Sequence, residues 1–285
     1  MPLNADLVGA STAAVYHSVD ERWIMAYAAS LNDYNPRYLD TANHTVIAHP
    51  VFPVCVEWPA ILDTRGLAGD TSLSQEEAAR GVHAAHDLHI LAPIKAGDHL
   101  ATTARMVDVK AIKPGAAYTM QLDTINTATD TLVARTYQLG IYRGVEVAGL
   151  ASPAVDIPEL PALAPVLDQF NQPIEVSAGA AHTYTECAHI WNPIHTDRAV
   201  ALAAGLPDII LHGTATLALA VTALVDRFAD GDPTRVTRLG GRFAAMVLMP
   251  STITLRAARQ DNVISYEVLN AEGQPAISGG FVCLS

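Results

Sequence analysis

Two short runs hold the residue types needed to move a proton beside a polarised carbonyl. The first reads Tyr184-Thr185-Glu186-Cys187-Ala188-His189-Ile190-Trp191-Asn192-Pro193-Ile194-His195, and the second Ile210-Leu211-His212-Gly213. An imidazole such as His195 titrates close to neutrality and serves as a general acid or base. Asn192 adds a carboxamide that can orient water or a substrate oxygen. Gly213 opens an apolar stretch, Thr214 to Val225, which is hydrophobic nearly all round and predicts a buried helix. Amides at a helix start have no intrahelical acceptor and sit at the positive end of the helix dipole. Gly213 is therefore placed to stabilise a negative oxygen. Asn-Pro by itself is a common turn device, and Gly213 would also permit tight packing at a helix start.

The chain repeats this frame. Tyr27 to Tyr38 aligns without a gap onto Tyr184 to His195, so that Asn35-Pro36 falls on Asn192-Pro193. Ile47-Ala48-His49-Pro50 answers Ile210 to Gly213, and Pro93 to Leu100 answers Met246 to Ile253. Each half then ends in alternating β-branched runs, Ala116 to Tyr142 and Thr252 to Leu284, that read as strands. A period of about 155 residues signals duplication of a whole domain. A stretch with five prolines between Val147 and Pro173 can continue neither a helix nor an inner strand, and reads as an extended linker. The expected organisation is a domain over residues 1–146, a linker over 147–173 and a second domain over 174–285.

This order of motifs resembles the MaoC-like, (R)-specific enoyl-CoA hydratase family, whose motif runs Asp-x-Asn-Pro-x-His and then His-Gly. The resemblance covers nearly the whole chain. It implies an α+β double hot-dog fold, two curved antiparallel sheets each wrapped around a long helix. It also implies hydration or dehydration of an enoyl thioester, with coenzyme A as the expected carrier and a homodimer as an assembly compatible with the fold. By position, His195, Asn192 and Gly213 become the catalytic set. His212, Trp191, Asp33, Asn35, Tyr38 and Arg242 become the substrate-binding set. Two departures stand out. Ile190 occupies the place of the motif Asp, and an alkyl chain neither accepts a proton nor orients water. In the N-terminal copy Asp33 and Asn35 are kept, but Tyr38 replaces the His and Pro50, which has no N–H, replaces the Gly. Glu186 and His189 lie close to Ile190 in sequence, yet one position along a helix turns a side chain by about 100°. Two further readings stay open: an isomerase, lyase or cyclase of the same fold that does not activate water, and a non-catalytic acyl-binding partner subunit.

Composition excludes other classes. With 285 residues, 50% hydrophobic and 16% charged, the chain can build two sizeable cores. A net charge of −12 disfavours nucleic acid or an anionic membrane as a partner. The N-terminus has neither a basic start nor a long apolar run, so no signal peptide is expected. Cys55, Cys187 and Cys283 are far apart with no metal spacing, which predicts reduced thiols in a cytoplasmic protein with neither metal nor other cofactor. His83, His86 and His89 fall on one expected strand, Val82 to Leu91. Their spacing of three does not put them all on one face, so ordinary polar strand positions are expected.

Overall fold

Long runs rich in Val, Ile and Thr fold as antiparallel strands here, and the apolar run that precedes them in each half folds as a helix. The computed structural model describes residues 2–67, 73–165 and 170–285, so residues 166–169 of the Pro-rich stretch lie outside the described part. In chain order the elements are β1 (Leu3–Asn4), β2 (Val15–Ser18), α1 (Glu21–Ser30), α2 (Pro36–Leu39), α3 (Pro53–Asp63), α4 (Gln75–Ala78), β3 (Gly81–Ile90), β4 (His99–Ile112), β5 (Gly115–Asn126), β6 (Thr131–Arg143) and β7 (Val147–Ala148). They continue with β8 (Phe170–Val176), α5 (Ala180–Ala188), α6 (Arg198–Ala203), α7 (Gly213–Phe228), β9 (Val236–Phe243), β10 (Ser251–Gln260), β11 (Val263–Leu269) and β12 (Pro275–Leu284). Two short strands, β7 and β8, thus fall at the ends of the stretch read as a linker.

The chain groups into two compact units, Met1–His17 with Val56–Leu91 and His99–Leu160, and Ser18–Cys55 with Ala92–Asp98 and Pro161–Ser285. The sequence repeat suggests cuts near residues 146 and 173, whereas contact density groups Ser18–Cys55 with the residues from Pro161 onward.

In the first unit the strand order is β2-β4-β5-β6-β3. β4 and β5 pair from Leu100↔Asn126 to Ile112↔Gly115, and β5 and β6 from Gly115↔Arg143 to Asn126↔Thr131. Alternation then sends one side of each strand into the core, where Ala60 of α3 meets Ala104 and Met106 of β4 and Met120 and Leu122 of β5. A bulge between His83 and Ala85 inserts one extra residue into β3. It brings His83 and His86 onto one face, with ring centroids 5.4 Å apart, while His89 packs edge-on to Tyr137 at 5.9 Å. The three are not on a common face, but they are not ordinary polar strand positions either. His86 is 2% exposed, and burial pushes His83 down to about 3 and His86 to about 4. No group of His, Cys, Asp and Glu suited to a metal ion occurs among the described residues.

In the second unit the order is β9-β12-β11-β10-β8, and α7 packs on β9, β11 and β12. α7 buries Leu217, Ala218, Val221, Leu224 and Val225, the all-round burial its composition predicts. α1 and α5, the equivalent helices of the two repeats, pack on each other. Their equivalent tyrosines meet, with Tyr27 and Tyr184 hydroxyls 3.4 Å apart and Tyr184 donating to Thr214 Oγ1 at 3.1 Å. Each unit thus places a helix against an antiparallel sheet, as the sequence leads one to expect. Among the described residues no helix is long and apolar enough to cross a membrane.

Candidate active site

α5 ends when His189 turns into the left-handed region at φ 56°, and the chain then runs through Ile190 and Trp191 into a tight turn over Pro193–His195. Pro193 suits the first position of that turn, because its fixed φ is pre-set and its missing N–H is not needed there. The turn puts the His195 imidazole under the segment leading to α7. His195 Nδ1 lies 2.8 Å from the Ile210 carbonyl oxygen. A carbonyl only accepts, so Nδ1 carries the proton and Nε2 is left as the lone-pair nitrogen. Burial pushes the ring down to about 4, against the opposing pull of the Ile210 carbonyl, so His195 is neutral at physiological pH.

His212 lies flat against it, with ring centroids 3.7 Å apart and planes 26° from parallel. His212 Nε2 is 3.2 Å from Thr185 Oγ1, and the ring is 2% exposed. The next residue, Gly213, begins α7, and its amide donates to no acceptor among the described residues. A Cβ at Gly213 would sit 3.0 Å from the Phe243 ring, so close packing also calls for glycine here. Packing and a free helix-start amide are served by the same residue.

A cavity of about 280 Å³ opens beside this turn, lined by His182, Thr185, Glu186, Trp191, Asn192, Pro193 and Thr196. The Asn192 carboxamide makes no cap bond, and no side-chain hydrogen bond engages it among the described residues. Trp191 is 56% exposed and is the outer ring of a stack, 5.4 Å from His189, which is itself 4.5 Å from Trp23. Ile190 is buried at 6%, with its N–H on the Thr185 carbonyl. Glu186 contributes a carboxylate to the cavity wall, one turn of α5 ahead of that position.

The N-terminal copy has used up the same groups. Both ends of the Asn35 carboxamide are bound, to the Gly231 carbonyl at 2.7 Å and the Arg37 amide at 2.9 Å. Asp33 takes the Asn35 amide on one oxygen, at 3.1 Å, and the Thr222 hydroxyl on the other, at 2.9 Å. His49 Nδ1 accepts from the Val51 amide, which puts its proton on Nε2, 3.2 Å from Thr222 Oγ1. The proton order therefore runs from His49 through Thr222 to Asp33. It is satisfied with His49 neutral, and burial does push His49 down to about 3. Burial raises Asp33, against the lowering by its Thr222 and Asn35 bonds. Tyr38 is 0% exposed. Arg242 is exposed on β9, with no ion pair among the described residues.

Of the residues singled out from sequence, His195 and His212 come together, as do Trp191 and Asn192. Asp33, Asn35 and Tyr38 lie in the other cluster. Thr185 and Thr222 carry no motif and were not anticipated; both stand on helices opposite a histidine, a relation that only packing reveals. Cys55, Cys187 and Cys283 form no disulfide among the described residues.

A helix-on-sheet unit occurs twice, and in the C-terminal copy an Asn-Pro-x-His turn faces a His-Gly helix start. Residues 168–275 match the MaoC like domain, and residues 6–136 match the FAS1-like, dehydratase domain region. The chain thus carries a MaoC-like dehydratase domain in its C-terminal half and a dehydratase-type region in its N-terminal half. It is 29% identical over 234 residues to ChsH3, an enoyl-CoA hydratase of Mycobacterium tuberculosis, a match spanning 79% of this chain and 73% of that protein. Further curated relatives match over about a third of this chain and span only 30%, 16% and 13% of their own lengths. Among solved structures, a MaoC-like dehydratase from Phytophthora capsici superposes with a TM-score of 0.85 at 20% identity, covering 98% of this chain and 96% of that one. A Mycobacterium tuberculosis protein described as having a double hot-dog fold gives 0.60 at 16% identity, covering 97% and 95%. The fold is the double hot-dog.

Proposed function

We propose that the chain is a hydratase or dehydratase acting on the 2,3-double bond of an enoyl thioester, with coenzyme A as the carrier. In the hydration direction the water oxygen bonds to C3, a proton arrives at C2, and the thioester oxygen holds negative charge in between. His195 Nε2 is the acceptor that takes or orients a water hydrogen, since its other nitrogen is committed to Ile210. The Asn192 carboxamide positions water or substrate, and the Gly213 amide at the start of α7 stabilises the oxyanion. Glu186, on the cavity wall with Asn192, is the carboxylate that stands in for the one absent at Ile190.

The observation that carries this reading is an asymmetry between the copies. Asn35, Asp33 and His49 are tied into internal hydrogen bonds, while Asn192 and the Gly213 amide are not. Relatives named enoyl-CoA hydratase support the substrate class. The test is loss of enoyl absorbance with a panel of enoyl-CoA thioesters, run alongside His195→Ala. Wild type should turn over at least one of them, and the variant should lose at least about 100-fold in kcat/KM. No turnover of any thioester would sink the proposal.

The buried alkyl side chain of Ile190 favours one alternative, double-bond isomerisation without activated water. Solvent oxygen-18 decides between them, because only hydration places the label in product.

A further inference from the structure

The His195 imidazole has one edge fixed by the Ile210 carbonyl and one face covered by His212. His212 is not positioned like a substrate contact, because 98% of its surface is hidden and its Nε2 is held by Thr185 at 3.2 Å. Thr185 itself stands on the cavity wall beside Glu186 and Asn192. A path of contacts therefore runs from the cavity through Thr185 to His212 and then to His195.

We propose that His212 is a positioning residue that acts through His195: pinned by Thr185, its flat ring covers one face of the His195 imidazole and keeps it dry, uncharged and aimed by a single edge. The inference rests on the reading that His195 handles the proton. A neutral imidazole stacked at 3.7 Å is tolerated, but two imidazolium rings at that distance would repel. The His212 ring is held below its usual range mainly by burial and further by His195, against the opposing backbone at Ile190. Other groups packed around the pair would not replace this cover. α5 presents Tyr184, whose ring is 5.0 Å from His212, and carries Glu186 and Cys187; α1 presents Tyr27 behind Tyr184. His189 is stacked between Trp23 and Trp191, and Met246–Pro250, which pairs with Ile210 and Leu211, has no titratable side chain.

The test is direct titration of His195 by nitrogen-15 NMR, in wild type, His212→Phe and His212→Ala, together with the pH profile of kcat/KM. Wild type should titrate at about 4. His212→Phe keeps a flat cover and should stay within about half a unit of wild type, whereas His212→Ala lets water in and should rise toward the ordinary value of about 6.5. The acid limb of kcat/KM should move with the NMR value in each protein, and Thr185→Val should fall between wild type and the alanine variant. Unchanged titration in His212→Ala would overturn the proposal, and so would a phenylalanine variant that behaves like alanine. Should His212→Ala not fold, the comparison of His212→Phe with Thr185→Val still decides. The NMR arm needs no turnover, so an absence of hydratase activity would refute the functional reading while leaving this inference to stand or fall separately.

Discussion

Thr222→Val removes one hydroxyl and almost no volume, and the structure says what that hydroxyl does. It donates to Asp33 at 2.9 Å and accepts from His49 at 3.2 Å. Asp33 is 6% exposed and His49 1%, so neither can turn to water for a replacement. A buried group left without its partner loses roughly 1–3 kcal/mol, with a charged acceptor toward the upper end. The neutral His49 bond adds roughly 0.5–1.5 kcal/mol. Partial exposure of Thr222 itself lowers the sum, which gives about 2–3 kcal/mol for the variant. Urea unfolding at pH 7 should show this as a lower midpoint with an unchanged slope. The hydratase activity proposed for the C-terminal copy should stay within about three-fold of wild type, since the bonds lost belong to the N-terminal motif. Stability within about 0.5 kcal/mol of wild type would refute the hydrogen-bond chain. A folded variant that loses activity more than about ten-fold would refute the division of labour between the copies.

Two other outcomes follow from buried ionisable groups. Glu57 is 0% exposed, accepts the Thr136 hydroxyl at 2.5 Å on one oxygen, and is pushed up to about 7 by burial. A carboxyl raised in the folded state favours folding at low pH and loses that advantage as pH rises from about 4.5 to 7. Glu57→Gln should therefore gain on wild type between pH 6 and pH 9 in urea midpoint, and a constant difference would contradict the assignment. The histidines act with the opposite sign. His49 and His83 at about 3, and His86 and His195 at about 4, stay neutral in the fold, while the unfolded chain takes up protons near 6.5. Stability should fall as pH drops from about 6.5 toward 4, by as much as about 2 kcal/mol per histidine at pH 5, partly offset by Glu57. Replacing His86 with Leu should flatten that decline, measured by thermal unfolding at pH 7 and pH 5.

Much of the fold is legible in the residues alone. The gapless match of Tyr27–Tyr38 to Tyr184–His195 announces a duplicated domain, and the apolar run after Gly213 becomes α7 over Gly213–Phe228. The β-branched runs become β5 and β6 in one half and β10, β11 and β12 in the other, because alternation of period two is a local property of the chain. The identity of the Asn-Pro-x-His and His-Gly segments as a pair is equally visible, through their repeated order. Ile190 and Pro50 likewise show in the sequence where each copy departs from its motif.

What each polar group is free to do was settled by tertiary structure. Asn35 and Asn192 are the same residue in the same frame, yet one has both ends of its amide bound and the other makes no cap bond beside a cavity. The difference comes from a partner far away in sequence, the Gly231 carbonyl, that no local pattern encodes. His83 and His86 are brought onto one face by a single bulged residue, which shifts side-chain parity in a way that spacing cannot foretell. His195 is neutral because burial removes water from it, and desolvation depends on what packs around a group. Sequence determined the frame and the chemistry on offer; long-range packing decided which copy of that chemistry was left unspent.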